Sequence, residues 1–265
     1  MIEQAPTAIP DLPGWRRLAF GAVGSTNTEA LNLAQAGDPG NVWVTGTQQL
    51  AGKARRGRSW VSEPGNLYAS LLLIDPAERE TLGSIPLVVS LALHRTLVSI
   101  FPDAADRLAI KWPNDVLLDG KKLSGILLEA AGISDNRLAV VIGCGINCAH
   151  FPDNPLYPAT SLLASQLLIE PEDLFSVFAR AMGDALEEWD RGEGIATIRR
   201  DWLSAAKGIG KPLTARFETH EVSGIFKGLD EQGALILRAG DGAEHRIIAA
   251  DIFFGADEAI GHKAS

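Results

Sequence analysis

Sulfur and imidazole are scarce in this chain of 265 residues, which has two cysteines, two methionines and five histidines. Cys144 and Cys148 form a C-x-x-x-C pair with His150 nearby, but His94, His220, His245 and His262 are scattered. A structural zinc takes four ligands, so the cysteines are expected to be buried or half-buried thiols, with no metal site. Long apolar runs are missing too. The longest, Ser84 to Phe101, is broken by His94 and Arg95 and falls short of the ~18 unbroken apolar residues of a membrane span, so no transmembrane helix is expected. The N-terminus has neither a basic start nor an apolar core segment. With Pro6, Pro10 and Pro13 before Gly14 it reads as an extended arm, not a secretory signal, and the expectation is a cytoplasmic protein with no membrane partner. Positive charge is in deficit: 24 Lys and Arg face 33 Asp and Glu, a net charge of −9. General nucleic-acid and membrane-surface binders work through clustered positive charge, so both classes are disfavoured.

What is present is ordinary globular composition, 46% hydrophobic and 22% charged, with room for one large domain or for a domain of about 200 residues and a small companion. "STNTEALNLAQAGDPG" from Ser25 places Glu29 three residues after Thr26, as in a capping box, and predicts a short helix stopping at Gly37. "NVWVTGTQQ" (41–49) and "NLYASLLLI" (66–74) have strand content, which makes the residues between them a loop. Pro86 suits the first turn of a long, mostly buried helix. "RLAIKW" reads as a strand, "VLLDGKKLSGILLEA" as a hairpin turning at Asp119 and Gly120, and "RLAVVIGCGIN" as another strand. Helical spacing runs from Pro171 to Trp189 and from Ile195 to Lys207, and "GIGKP" (Gly208 to Pro212) breaks it. Beyond lie short β runs at the spacing of a small barrel. The chain is therefore mixed α+β, with domains expected at 1–209 and 210–256 and a tail at 257–265.

Against the acidic background, "GKARRGRSW" from Gly52 to Trp60 puts four cations into nine residues. Glycines let backbone N–H groups close on a ligand. Lys53, Arg55, Arg56 and Arg58 supply donors for carboxylate and phosphate oxygens, and Trp60 offers a ring for a flat base. The spacing is not that of a Walker A loop. A solvated basic loop and a site for a nucleotide beside a carboxylic acid both fit these residues. In "KWPNDVLLDGKKLSGILLE" (111–129), Pro113 fixes a bend, and Asn114 and Asp115 are turn-forming. Lys122 either carries a hairpin-turn charge or holds its ammonium at the edge of a pocket.

Taken together and in order, "STN", "QLAGKARRGRSW", "GNLYASLLL", "KWPNDV", "KLSGILLE", "GCGIN" and "GIFKGLDEQGALIL" resemble the biotin protein ligases, which activate biotin with ATP and attach it to a lysine of a carrier domain. The resemblance implies a class II aminoacyl-tRNA-synthetase-like mixed sheet with helices on one side, followed by a small SH3-like β-barrel. It also implies a division of labour. Lys53 and Arg55 meet the biotin carboxylate and the α-phosphate, and Lys122 sits at the reacting groups. Ser25, Thr26 and Gln49 bond the ureido ring, with Gly52, Tyr68, Gly125 and Gly143 in the biotin wall. Arg56, Arg58, Lys111, Asn114 and Asn147 fall on the nucleotide side with Trp60, which packs on adenine. Asp115 assists metal–phosphate placement or the incoming lysine. ATP with Mg²⁺ and biotin are the implied substrates, and the biotin domain of acetyl-CoA carboxylase or a related carboxylase is the implied carrier. A homodimer is compatible with the family.

Two departures from the family's pattern stand out. Its usual loop reads G-R-G-R-R-G, whereas Lys53 and Ala54 here replace an arginine and a glycine; lysine keeps the charge without the planar fork, and alanine restricts the backbone. Many bacterial relatives also carry an N-terminal DNA-binding domain, and only about 20 residues precede "GSTN", so no operator binding is expected. The alternatives are a lipoyl or octanoyl protein ligase, which shares the fold, and a non-catalytic biotin-binding module, which ATP consumption distinguishes.

Overall fold

The computed structural model describes residues 5–10, 12–153 and 158–254. The first of two sheets has eight strands: β1 (Thr7–Ala8), β2 (Arg16–Val23), β3 (Val42–Gln49), β4 (Leu67–Ile74), β5 (Leu108–Lys111), β6 (Asp115–Leu118), β7 (Lys121–Gly132) and β8 (Leu138–Ile146). Their spatial order is β1-β2-β3-β4-β8-β7-β6-β5. Among these described strands only β2 and β3 pair in parallel, and a parallel pair needs a crossover. The helix α1 (Thr26–Gln35) supplies it.

Three further helices, α2 (Ile85–Ile100), α3 (Pro171–Trp189) and α4 (Ile195–Ala205), pack on one face of this sheet. Strand alternation decides which residues they meet. Leu67, Ala69, Leu71 and Leu73 of β4, with Val140, Ile142, Cys144 and Ile146 of β8, join their core. Leu72, Ala139 and Val141 point the other way, beneath Ala30, Leu33 and Ala34 of α1. The expected one-sided helices are thus α2, α3 and α4, while α1 lies opposite. That second face continues along β8 to Gly143 and Gly145, the floor of the site described below. The segment Leu82–Ile100, at 19 residues and mean hydropathy 1.4, is apolar and long enough to cross a membrane by composition, yet most of it is buried in the core. Its serines also satisfy two buried indoles: Trp189 Nε1 donates to Ser84 Oγ (2.9 Å) and Trp202 Nε1 to Ser90 Oγ (3.0 Å).

The β6–β7 hairpin turns at Asp119 (φ 52°) and Gly120 (φ 74°), the paired left-handed residues of a type I′ turn. The capping box expected at Thr26 and Glu29 does not form as drawn. Ser25 is the N-cap residue, without a side-chain cap bond, and the Thr26 hydroxyl and N–H are both engaged by Gln49 Oε1 (3.1 and 3.0 Å).

The second sheet contains β9 (Pro212–Arg216), β10 (Glu221–Leu229), β11 (Leu235–Arg238), β12 (Glu244–Ile247) and β13 (Asp251–Phe254), all antiparallel in the order β12-β11-β10-β9-β13. It is SH3-like. Phe226, Leu235, Leu237 and Ile252 join the same apolar cluster as α2, and Trp112 Nε1 donates to the Gly233 carbonyl (3.1 Å) across the contact. The two sheets are therefore packed against each other. The expected tail, 257–265, lies outside the described residues.

Candidate active site

The loop after β3 folds back on itself. Lys53 bridges Ser59, Ala54 N–H donates to the Arg58 carbonyl (2.7 Å), and the reversal is made at Arg56 (φ 57°) and Gly57 (φ 68°). Gly52 closes its base: its carbonyl accepts the Trp60 N–H (2.9 Å), and a Cβ there would stand 2.5 Å from the Trp60 carbonyl oxygen. This places the loop over a cavity of about 330 Å³ walled by α1, β3, β7 and β8, the β5–β6 connection and the start of β13.

One end of the cavity is lined by amides and hydroxyls, with a carboxylate behind them. Gln49 Nε2 donates to Ser62 Oγ (3.1 Å), so its amide is held from both sides. Ser70 Oγ lies 2.7 Å from Thr26 Oγ1 and 2.6 Å from Asn27 Oδ1, while Asn27 Nδ2 donates to Glu129 Oε2 (2.7 Å). Gly143 is required here, because a Cβ would come 2.3 Å from Asn27 Oδ1. The Trp60 indole forms the middle, lying against Gly125 and Gly145; a Cβ on Gly145 would meet its ring at 2.6 Å.

The other end is cationic. Lys122 Nζ is 2.7 Å from Asp115 Oδ1 and 5.5 Å from the Trp60 ring centroid. Arg55 Nη1 donates to Asn114 Oδ1 (2.9 Å) and Nη2 to the Ala250 carbonyl (3.4 Å). Burial draws the Arg55 guanidinium below its ordinary pKa, with Asp115 and Asp251 opposing the shift; a guanidinium titrates so high that it stays cationic. Lys111 is buried beneath, its Nζ 5.4 Å from the Phe254 ring. Asn147 Nδ2 donates to the Thr160 carbonyl (3.0 Å).

The residues singled out in the sequence meet this cavity unequally. Ser25, Thr26, Gln49, Lys53, Arg55, Arg58 and Trp60 line it, as do Lys111, Asn114, Asp115, Lys122, Gly125, Gly143 and Asn147. Gly52, Arg56 and Tyr68 do not. Gly52 shapes the loop's base. The left-handed turn aims Arg56 at Asp251 (2.8 Å). The Tyr68 hydroxyl donates to the Glu63 carbonyl (2.7 Å), and burial pushes its pKa up to about 12. Sequence reasoning passed over Asn27, Ser70, Glu129 and Asp251. Asn27 stood inside the quoted "STN" and Glu129 at the end of "LSGILLE", so a signal existed for both. Asp251 gave none, being 193 residues from its partner Arg58 (3.3 Å). Among the described residues, no group of three or more His, Cys, Asp and Glu is arranged to hold a metal.

Residues 20–147 match the biotin/lipoate A/B protein ligase family, and residues 208–255 match the biotin protein ligase C-terminal domain. The chain is 42% identical to the biotin–[acetyl-CoA-carboxylase] ligase of Paracoccus denitrificans over 87% of its length and 97% of the relative's. It is 30% identical to the bifunctional ligase/repressor BirA of Escherichia coli strain K12, over 88% of this chain and 72% of that one. Its fold matches the biotin protein ligase from Aquifex aeolicus in complex with biotin and ATP, with a TM-score of 0.76 and 24% identity over 90% of this chain and 99% of that one.

Proposed function

The chain belongs to the biotin/lipoate A/B protein ligase family, and from that premise we infer that it is an ATP-dependent biotin protein ligase, which forms biotinyl-5′-AMP and passes the biotinyl group to a lysine of a carrier domain. The observation that carries this reading is the polarity of the cavity. Amide and hydroxyl groups gather at one end and Lys122, Arg55 and Lys111 at the other, with an indole between them. A cyclic urea whose tail carries a carboxylate that meets a phosphate presents the same two kinds of chemistry, a neutral hydrogen-bonding end and an anionic one.

In the first step a biotin carboxylate oxygen attacks the α-phosphorus of ATP, the bond to the bridging oxygen breaks, and pyrophosphate leaves. In the second the carrier amine attacks the carbonyl of the mixed anhydride, AMP leaves, and the amine loses a proton. Negative charge gathers on oxygen in both steps, and preorganised cations in a site shielded from water stabilise it most. Lys122, supported by Asp115, stands at the reacting carboxyl and phosphate, and Arg55 holds the α-phosphate from the loop with Lys53. Ser25, Thr26 and Gln49 take the urea, Gly143 makes room for the Asn27 amide beside it and Gly125 for the Trp60 ring and Lys122, and Trp60 provides the face for adenine. Arg58, Lys111, Asn114 and Asn147 border the nucleotide. Magnesium keeps much of its water and binds through substrate phosphates with one or two carboxylates; Asp115 and Asp251 are the carboxylates that line this cavity. The acceptor is the biotin domain of acetyl-CoA carboxylase or a related carboxylase.

The test is to incubate the protein with biotin and Mg-ATP without a carrier and examine the bound small molecules by mass spectrometry. Biotinyl-5′-AMP is the expected product. Unaltered biotin and ATP, recovered from folded protein, contradict the reading.

A further inference from the structure

Glu129 has no part in the chemistry above, and it stands behind the cavity wall instead of lining it. Its carboxylate nevertheless touches the site twice: Oε2 accepts from Asn27 Nδ2 at 2.7 Å, and Oε1 lies 3.9 Å from Lys53 Nζ. The second contact is long and half exposed, the kind of ion pair that contributes little. The first is short and charge-assisted, and it is made to an amide that is only 4% exposed.

An amide side chain fits its space almost equally well in two orientations related by a flip, and its partners decide between them. Ser70 Oγ, 2.6 Å from Asn27 Oδ1, cannot decide, because a hydroxyl donates or accepts. An ionised carboxylate only accepts. Glu129 therefore fixes which end of the amide is nitrogen, and with it which end faces Gly143, where the space beside Asn27 Oδ1 is too small even for a methyl group.

We propose that Glu129 is a positioning residue for recognition of the acid substrate: it locks the Asn27 amide with Nδ2 turned to the carboxylate and Oδ1 turned to Gly143 and the cavity wall. The proposal rests on the ligase reading of the cavity. Loss of the lock weakens binding of the urea-bearing acid and leaves ATP binding and turnover intact, since Lys122 is held by Asp115, and Asn114 by Arg55 and the Ile126 carbonyl, not by Asn27 or Glu129.

The experiment is biotin-dependent exchange of labelled pyrophosphate into ATP by wild type, Glu129→Ala and Glu129→Gln, with KM measured separately for biotin and ATP. Glutamine keeps the shape of Glu129 but can donate as well as accept, so it tests the acceptor-only character of the carboxylate. Glu129→Ala is expected to raise the KM for biotin about tenfold to a hundredfold, the range for loss of a hydrogen bond to a charged group, with the KM for ATP and kcat nearly unchanged. Glu129→Gln is expected to recover only part of that loss, because its amide can meet Asn27 in either orientation. An unchanged KM for biotin in Glu129→Ala overturns the proposal, and so does an equal rise in both Michaelis constants with a lowered Tm, the mark of a merely structural residue. Active wild type with either result condemns this inference alone, whereas wild type without exchange removes the ligase reading and the inference together.

Discussion

Replacing Lys122 by alanine removes a cation from the cationic end of the cavity. Its ammonium is restrained by Asp115 at 2.7 Å and by the Trp60 ring at 5.5 Å, and its side chain is 25% exposed. Two unit charges 4 Å apart at an effective dielectric constant near 20 interact by about 4 kcal/mol. The charge that develops on the phosphoryl and carboxyl oxygens is partial, and water reaches part of the lysine, so roughly 3 kcal/mol of transition-state stabilisation is at stake, or about 10²-fold in rate. The same deletion leaves Asp115 without its cation, which repels the incoming phosphates and adds to the loss. The assay is pyrophosphate exchange at saturating biotin and ATP, with Tm followed in parallel. A fall in kcat of about 10²-fold or more at a Tm close to wild type is expected. Lys122→Arg should recover little, because a planar fork does not replace a compact ammonium in that space. A Lys122→Ala protein with kcat within a few-fold of wild type refutes the assignment.

Gly143→Ala should raise the KM for biotin by tenfold or more on the order of a lost buried hydrogen bond, because a Cβ placed 2.3 Å from Asn27 Oδ1 forces the amide out of position; unchanged binding would show that Asn27 does not shape the pocket. Asp251→Asn removes the carboxylate shared by Arg56 and Arg58 (2.8 and 3.3 Å), so trypsin should cut after these arginines faster than in wild type, and equal cutting rates would count against a tether from the C-terminal sheet. Burial pushes the Tyr68 phenol and the Cys148 thiol each up to about 12, from 10.0 and 9.0, and raises Cys144 further still. Because the fold favours the neutral forms, their contribution is complete below pH 9 and is lost as pH rises from about 9 towards 12. Denaturant titrations should show that decline, and thiol reagents at neutral pH should label neither cysteine until the chain unfolds.

The elements were legible where one local signal dominated. The Asp119-Gly120 pair set the hairpin because only a type I′ turn suits two left-handed residues between twisted strands. The basic loop was legible as a charge cluster between two strands. Side-chain direction was not, since it depends on turn geometry that residue type alone leaves open. Arg56 looked like its neighbours in the sequence, yet a positive φ turns it to Asp251 and off the cavity. Tyr68 shares a strand face with Ser70, which bonds to the cavity residues Thr26 and Asn27, but its own hydroxyl is bound to the Glu63 carbonyl. The partners that set the electrostatics were the least visible. Asp251 comes from the second sheet, and Glu129 reaches Asn27 across 102 residues. Such pairings follow from how sheets and helices pack, which no local pattern encodes.

The most direct test of the central claim is exchange of labelled pyrophosphate into ATP by the purified protein with Mg²⁺, in the presence of biotin, lipoate or octanoate and without a carrier. Exchange that depends on biotin, with little from the other two acids, is the predicted result. Exchange with lipoate or octanoate alone, or no exchange from a protein that still binds biotin, would contradict it.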